Sequence, residues 1–385
     1  MTAVERLGLQ RLLSQPGRMI LRHIERRPLK AALSVVGIAF AGGIVIAGTF
    51  FLDAIDFMVE VEFRLAQRED LVVGFTEPTS RRVSFELASL PGVTRVEPYR
   101  AVSVRLRHGP VSRRSGIQGL APGAVLHRVL DTSLSPVAMP TGGLLLSQTL
   151  GEVLQVRPGD HVVVEVLQGR RAVLDVPVTG LVAQYVGTGA YMDLDALNRL
   201  LGEGDALSGA FLEVDPSRRE AVYARLKEAP RVAGVQVHES MIQSYYSTIG
   251  ELLLTFVSFI AGLSAAITLG VVYNSARITL SERARELASL RVLGYTRGEI
   301  AYILLGELAL LVLAAIPLGF VVGAWLAWRF AQLVPQELFR IPLVLEPRTF
   351  ALSALVVIVA TLISGMIVRR RIDRLDLIAV LKTKE

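Results

Sequence analysis

The chain has 385 residues, which leaves room for more than one domain. Apolar residues make up 52% of it and cysteine is absent, so disulfide scaffolds and thiolate chemistry are excluded and the apolar excess calls for another explanation. The net charge is +6, but residues 53–250 carry −3 and the remainder +9, an asymmetry that suits an oriented membrane protein and not a nucleic-acid binder.

Residues 1–30 alternate cations (Arg18, Arg22, Arg26, Arg27, Lys30) with Leu9, Leu12, Leu13, Ile20, Leu21 and Ile24, the pattern of an amphipathic helix on the cytoplasmic membrane surface. Residues 31–52 then carry no charge, enough length to cross the ~30 Å hydrocarbon core at 1.5 Å per residue. A cleaved signal peptide would have a shorter apolar region, of about 7–15 residues, and a shorter leader, so this is read as a retained first span. Phe51, Ile55, Val59 and Phe63 continue an i, i+4 stripe past it, predicting that the helix runs on as a stalk over 53–66.

Residues 70–238 read as an α+β domain. LVVGF (71–75), a helix from Arg81 to Leu90, and one or two strands in 93–109 form one strand–helix–strand unit. FLEVD (211–215), a helix from Pro216 to Ala229, and VAGVQV (232–237) form a second. The paired units predict a split ferredoxin-like sandwich. Between them, residues 144–182 alternate with period two around turns at Pro158-Gly159-Asp160 and Gln168-Gly169, predicting a small β insert. Residues 239–251 return to the membrane as a second stalk, with Tyr245 and Tyr246 at the interface.

Residues 252–276 form a second uncharged span. Residues 277–299 cannot span, because Arg277, Glu282, Arg283, Arg285, Glu286 and Arg291 fall within them. Leu287, Leu290 and Leu293 recur at helical spacing, with Gly294 where a left-handed C-cap belongs, and Glu282 with Arg285 and Glu286 with Arg291 are candidate ion pairs. Thr296 and Glu299 form a capping box opening the next helix. The third span lies within 300–328, ending on Trp325 and Trp328, and the fourth covers 350–368, ahead of Arg369-Arg370-Arg371. The basic flanks fall on one side if both termini are cytoplasmic, which puts 53–251 and the 329–349 loop outside.

Among candidate site residues, Gly262, Ala266 and Gly270 form one small-residue ridge and Gly319 and Gly323 another, the spacing that lets membrane helices approach closely. Glu307 is an acid inside the third apolar run, to be satisfied by reaching the interface or by an arginine of 277–299, with a proton relay as the alternative role. No phosphate loop, no H-E-x-x-H and no grouping of acid, base and nucleophile is present, so no catalytic, cofactor or metal residue is assigned. The five histidines are scattered and read as packing or surface residues.

One span, a large outside domain and three further spans, with SERARELASLRVLGYTRGEI after span two, resemble the permease subunits of the FtsX/MacB/LolC group, the type VII ABC transporters. The family pattern R-x-x-E-[IL]-x-x-L-R-x-[LM]-G is met by Arg283, Glu286, Leu287, Leu290, Arg291, Leu293 and Gly294, with Glu307, Gly319 and Gly323 following. Only 277–323 is motif-specific; the outside domain matches in layout alone. The resemblance implies a non-enzymatic subunit of a bacterial inner-membrane transporter. Its expected partners are a dimer of separate ATPase subunits holding ATP and magnesium, and a second permease, identical or homologous. A periplasmic adaptor or lipoprotein, and membrane lipids, are further partners it allows. The 277–294 helix, Glu282 included, would seat in the ATPase, and ATP-driven closure would move the outside domain by mechanotransmission. The substrate implied is a lipoprotein, lipid or other envelope amphiphile. The alternative is a non-transporting transducer that controls an outside partner such as a cell-wall hydrolase. These 385 residues hold no ATPase motif, so ATPase activity is expected on a separate subunit.

Overall fold

The architecture was taken from a computed structural model, which describes residues 15–185, 187–282, 289, 295–333 and 340–374. In chain order, α1 (Gln15–Arg26) is followed by α2 (Pro28–Glu60), which ends in a π-helical turn, Val61–Ala66. Then come β1 (Leu71–Ser80), α3 (Arg82–Ala88), β2 (Val93–His108), β3 (Val111–Leu120), β4 (Leu144–Ser147) and α4 (Gln148–Leu154). β5 (His161–Val166), β6 (Val173–Val182), β7 (Ala190–Asp193), α5 (Leu194–Leu201), β8 (Ala206–Val214), α6 (Arg219–Lys227) and β9 (Val232–Val237) complete the domain. The chain ends in α7 (His238–Glu282), α8 (Arg297–Leu333) and α9 (Pro347–Arg374). These elements make two units: a helical one of residues up to 54, 251–334 and from 343 on, and an α/β one of 55–250 with 335–342.

In the helical unit, α2, α7, α8 and α9 are long and apolar enough to cross a membrane. α2 is the most enclosed of the four, and its glycines show why. A side chain at Gly48 would stand 2.8 Å from Ile260 of α7, one at Gly43 3.1 Å from the backbone of Gly323 on α8, and one at Gly42 3.2 Å from Ser353 of α9. The close approach lets hydrogen bonds cross between helices, Ser264 Oγ to Ala41 O (2.6 Å) and Ser353 Oγ to Gly42 O (2.8 Å). Leu254, Phe259, Leu313, Val321 and Leu362 stay exposed, as a lipid-facing surface requires.

In the α/β unit, β2 is the shared strand. Its first half pairs antiparallel with β8, and the order β9-β1-β8-β2 interleaves the two strand–helix–strand units, all neighbours antiparallel. Leu71, Val73, Ala210 and Leu212 of that sheet bury Leu87 of α3 and Val222 and Leu226 of α6. The second half of β2 pairs with both β3 and β5, and the circuit β2-β3-β7-β4-β6-β5 returns to β2, making a closed six-stranded barrel. Period-two alternation fills it: Val102, Val104 and Leu106 of β2 point inward with Val162 and Val164 of β5, Val176 and Val178 of β6, and Leu144 and Leu146 of β4. The insert expected from sequence is therefore continuous with the main sheet, and β3 and β7 belong to it as well.

One expectation is narrowed and one changes. Residues 93–108 are one strand, long enough to serve both halves. Within 144–182, residues 148–154 are a helix and not a strand: Ser147 caps it through Leu150 N (3.3 Å), and Gly151 faces Leu181 so closely that a side chain there would stand 2.6 Å away. The barrel is pinned to β8 by Arg100, 1% exposed, which donates to Glu203 Oε2 from Nε (3.0 Å) and Nη2 (2.7 Å) and to Ser208 Oγ (2.7 Å).

Tyr191 of β7 gives the domain an alkaline limit. The residue as a whole is only partly buried, but its hydroxyl lies inside, donating to Gln184 Oε1 (3.3 Å), and burial pushes the phenol from 10.0 up to about 12. A pKa raised on folding stabilises fully below the unfolded value and loses that contribution as pH rises through the folded one. Wild type should therefore lose thermal stability between pH 10 and about 12 more steeply than Tyr191→Phe, as followed by the unfolding midpoint in a pH series.

Candidate functional site

The site expected from sequence is the segment joining α7 to α8, and the structure brings its two ends into view. α7 does not break at residue 277: it continues unbroken to Glu282, so the first turn and a half of the segment extends the second span. At the other end the reciprocal cap forms. Thr296 N donates to Glu299 Oε2 (2.7 Å), and Glu299 N donates to Thr296 Oγ1 (3.3 Å), fixing the start of α8. Arg283, Glu286, Leu287, Leu290, Arg291, Leu293 and Gly294 lie outside the described residues.

Glu282 is held by the start of α2. Arg27 and Lys30 both pair with its Oε2, Lys30 at 3.0 Å, and Lys30 Nζ also donates to Thr279 Oγ1 (3.4 Å). Pro28, at the first helical position, ends α1 and starts α2, and so sets these two cations where the last turn of α7 passes. One turn further in, Ser34 and Ser275 hydroxyls lie 2.8 Å apart. Together these tie α2 to α7 just ahead of the 283–294 segment. The candidate local partner Arg285 lies outside the described residues; Arg27 and Lys30 come from 255 and 252 residues away.

Glu307 of α8 is 9% exposed and sits beside the same cluster. It lines a cavity of about 20 Å³ with Arg27, Lys30, Ser34, Ser275 and Thr279. That is room for one water among polar partners. α1 closes the cluster from outside, its Ile20 buried against Gly306, where a Cβ would stand 2.7 Å from Ile20 Cδ1.

The two small-residue ridges differ. Gly319 approaches Ala39 O, 3.1 Å from its ideal Cβ position, and Gly323 approaches Ile46 at 2.6 Å, so this ridge packs on α2. At Gly262 and Gly270 no atom lies within 4 Å, and Ala266 is exposed: within the described residues that ridge packs against nothing in this chain.

One residue that sequence reading treated only as part of the stalk is central at the opposite end of α2. Asp53 is 0% exposed, and its carboxylate accepts from Thr349 Oγ1 (2.6 Å), Glu346 N (3.0 Å) and Arg348 Nε (3.0 Å). It fastens that end of α2 to the first turn of α9. An acid one residue past an uncharged run was the available signal, but its partner lies 296 residues on.

Among the described residues no cluster of His, Asp and Glu could hold a metal. The described histidine contacts are structural: His127 Nδ1 with Glu69 (3.0 Å), His161 Nδ1 with Asp175 (2.9 Å), and His238 Nε2 donating to Phe63 O (2.6 Å).

Four apolar helices attached to an α/β unit define a multi-pass membrane protein with a substantial domain outside the bilayer. Residues 258–377 match the family model described as FtsX-like permease C-terminal. The resemblance carried by 277–323 is borne out by this match. No curated protein sequence matches the chain. Of solved structures, it is similar to the extracellular domain of the noncanonic ABC-type transporter YknZ from Gram-positive bacteria, at 16% identity over 44% of this chain and 98% of that one, TM-score 0.31. It is also similar to the periplasmic region of MacB from Actinobacillus actinomycetemcomitans, at 10% identity over 47% of this chain and 93% of that one, TM-score 0.33.

The glycine contacts predict opposite outcomes for two equal substitutions. Gly323→Ala forces a methyl onto Ile46 and should lower the unfolding midpoint in detergent, by the equivalent of about 1–3 kcal/mol. Gly262→Ala, meeting nothing, should leave it unchanged. Asp53→Ala leaves the Thr349 hydroxyl and Glu346 N–H without their acceptor at a buried position, and should cost roughly 1–3 kcal/mol in the same assay.

Proposed function

We propose that the chain is the permease subunit of an ABC transporter and couples ATP hydrolysis on a separate ATPase dimer to movement of its own α/β domain. The observation that carries the reading is the family match over 258–377, with the motif Arg283, Glu286, Leu287, Leu290, Arg291, Leu293 and Gly294 falling between α7 and α8 inside it. The local structure supports a coupling role. A push on the 283–294 segment meets Glu282, and Glu282 is bonded to Arg27 and Lys30 at the foot of α2. Both α2 and α7 are single helices that run on beyond the membrane-length part, as α2 to Glu60 and α7 back to His238. Helices without a break transmit displacement better than jointed ones, which is the mechanical requirement of the proposal.

In this reading the 277–299 segment and both termini are cytoplasmic, and the α/β domain, with the interleaved order β9-β1-β8-β2 read as split ferredoxin-like, lies outside the cytoplasmic membrane. The α8–α9 loop shares that side, since Arg340 N donates to Tyr185 O (2.9 Å) and Arg340 Nη1 to Gln148 Oε1 (3.2 Å) of the domain. A second permease, identical or homologous, completes the membrane part, and the exposed Gly262-Ala266-Gly270 ridge of α7 is available to it. The cargo is a lipoprotein, lipid or other envelope amphiphile. ATP and magnesium stay on the ATPase.

The test is purification of the intact chain in detergent from its native host beside Glu286→Ala/Arg291→Ala. An ABC-type ATPase should accompany the wild type and be lost from the double variant. Absence of any ATPase from both would remove the transporter reading and leave a tethered binding domain.

A further inference from the structure

The helical face of the α/β unit carries a groove between α3 and α6. Its floor is Phe75 and Val232, paired across β1 and β9, and its walls are Leu87 of α3 and Leu226 of α6. The groove exists because the two helices are short. At seven and nine residues they are each about 10–13 Å long at 1.5 Å per residue, too little to cover the sheet between them. The resulting cavity is about 410 Å³, toward the small end of the ~300–1,000 Å³ range of small-molecule sites. Beside it on α3, Phe85 is 74% exposed, so apolar surface continues out of the groove.

The rim is charged unevenly. Arg225 and Arg231 border the cavity, with Glu86 across from them. Arg225 falls in the last turn of α6, where a cation suits the helix dipole, but Arg231 lies beyond the helix and has no such reason to be there. An apolar trough with a cationic rim is complementary to one kind of small molecule.

We propose that this groove binds a single-chain anionic amphiphile, its alkyl chain on Phe75, Leu87, Leu226 and Val232 and its carboxylate or equivalent acid between Arg225 and Arg231. A two-chain phospholipid exceeds what a trough this short and shallow encloses. The proposal names a ligand class for the envelope substrate proposed above. It rests on that reading only for the ligand being cargo, and the binding itself is independent of whether an ATPase drives the chain.

The test uses the full chain in nanodiscs of zwitterionic phosphatidylcholine. The probe is dodecanoic acid with a terminal diazirine; the matching alcohol and a two-chain phosphatidylglycerol with the same photogroup are the comparison arms. After irradiation, labelled peptides are mapped by mass spectrometry. The acid should label peptides spanning 82–90 and 225–232, and the alcohol should label them about tenfold less or weaker still, the loss expected for charge-assisted hydrogen bonds. Arg225→Glu/Arg231→Glu should abolish that labelling, and Arg231→Gln should weaken it. Labelling of peptides from α7 and α8 by the same probe should remain as in wild type, which shows that each variant is folded. The proposal is overturned if the acid labels the membrane helices alone, if acid and alcohol label the groove equally, if the phosphatidylglycerol probe labels it best, or if the charge-reversed chain keeps its labelling.

Discussion

Everything in the helical unit depends on how closely α2 can be approached. Lipid offers no hydrophobic drive for helices to associate, so packing contacts and interhelical hydrogen bonds must supply the attraction. α2 supplies both on three sides at once. Gly48 admits Ile260, Gly43 admits the Gly323 backbone, and Gly42 admits Ser353. The same approach then brings the Ala41 and Gly42 carbonyls within reach of serine hydroxyls on α7 and α9. A larger residue at any of these positions would lose a packing contact and, with it, the hydrogen bonds that the approach allows. The first span is thus the axis of the bundle, although it is separated in sequence from the other three by the whole α/β domain.

Its ends are fastened differently from its middle. At the Pro28 end the contacts are ionic and partly open to solvent: Glu282 with Arg27 and Lys30, all more than a quarter exposed at the side chain. Such pairs are individually weak and easily exchanged. At the other end the Asp53 carboxylate is fully buried and accepts three hydrogen bonds, an arrangement costly to open because the carboxylate and the buried Thr349 hydroxyl would be stranded. A bundle built this way is firm where Asp53 holds α9 and yielding where α2 meets the last turn of α7. That gradient is what the proposed coupling needs, since a signal arriving at residues 283–294 must shift something without dissolving the helix packing.

Much of this organisation could be read from the residues themselves. Uncharged runs of membrane length are an unambiguous signal, and the capping box at Thr296 and Glu299 is local chemistry that the structure reproduces bond for bond. The strand–helix–strand units at either end of the domain were legible for the same reason: each is short and punctuated by Pro, Gly or a clear change of period. What escaped was long-range or ambiguous in period. Gln148–Leu154 presents Leu150 and Leu154 in a stretch that alternates almost as well for a strand, and only the contact of Gly151 with Leu181 shows why a helix fits there. Barrel closure depends on parallel pairing of β3 with β7 and of β4 with β6, strands separated by other elements and carrying no mark of their partners. Asp53 was visible as a charge, but the Thr349 that meets it lies 296 residues away and no local pattern names it; the Arg27 and Lys30 that meet Glu282 are likewise distant in sequence.

The double use of β2 has a mechanical consequence for the domain. Its first half is one strand of the sheet that carries α3 and α6, and its second half is a stave of the barrel. No hinge residue separates the halves: the strand is continuous from Val93 to His108, and Arg100 at its centre is buried and bonded to Glu203 and Ser208 across the junction. Sheet and barrel therefore have to move as one body, because bending between them would break a central ladder and strand a buried guanidinium. A ligand held in the α3–α6 groove would be carried with that body whenever it moved. Any opening that releases such a ligand must then come from α3 and α6 themselves, short helices held to the sheet by few side chains, and not from a flexing of the domain.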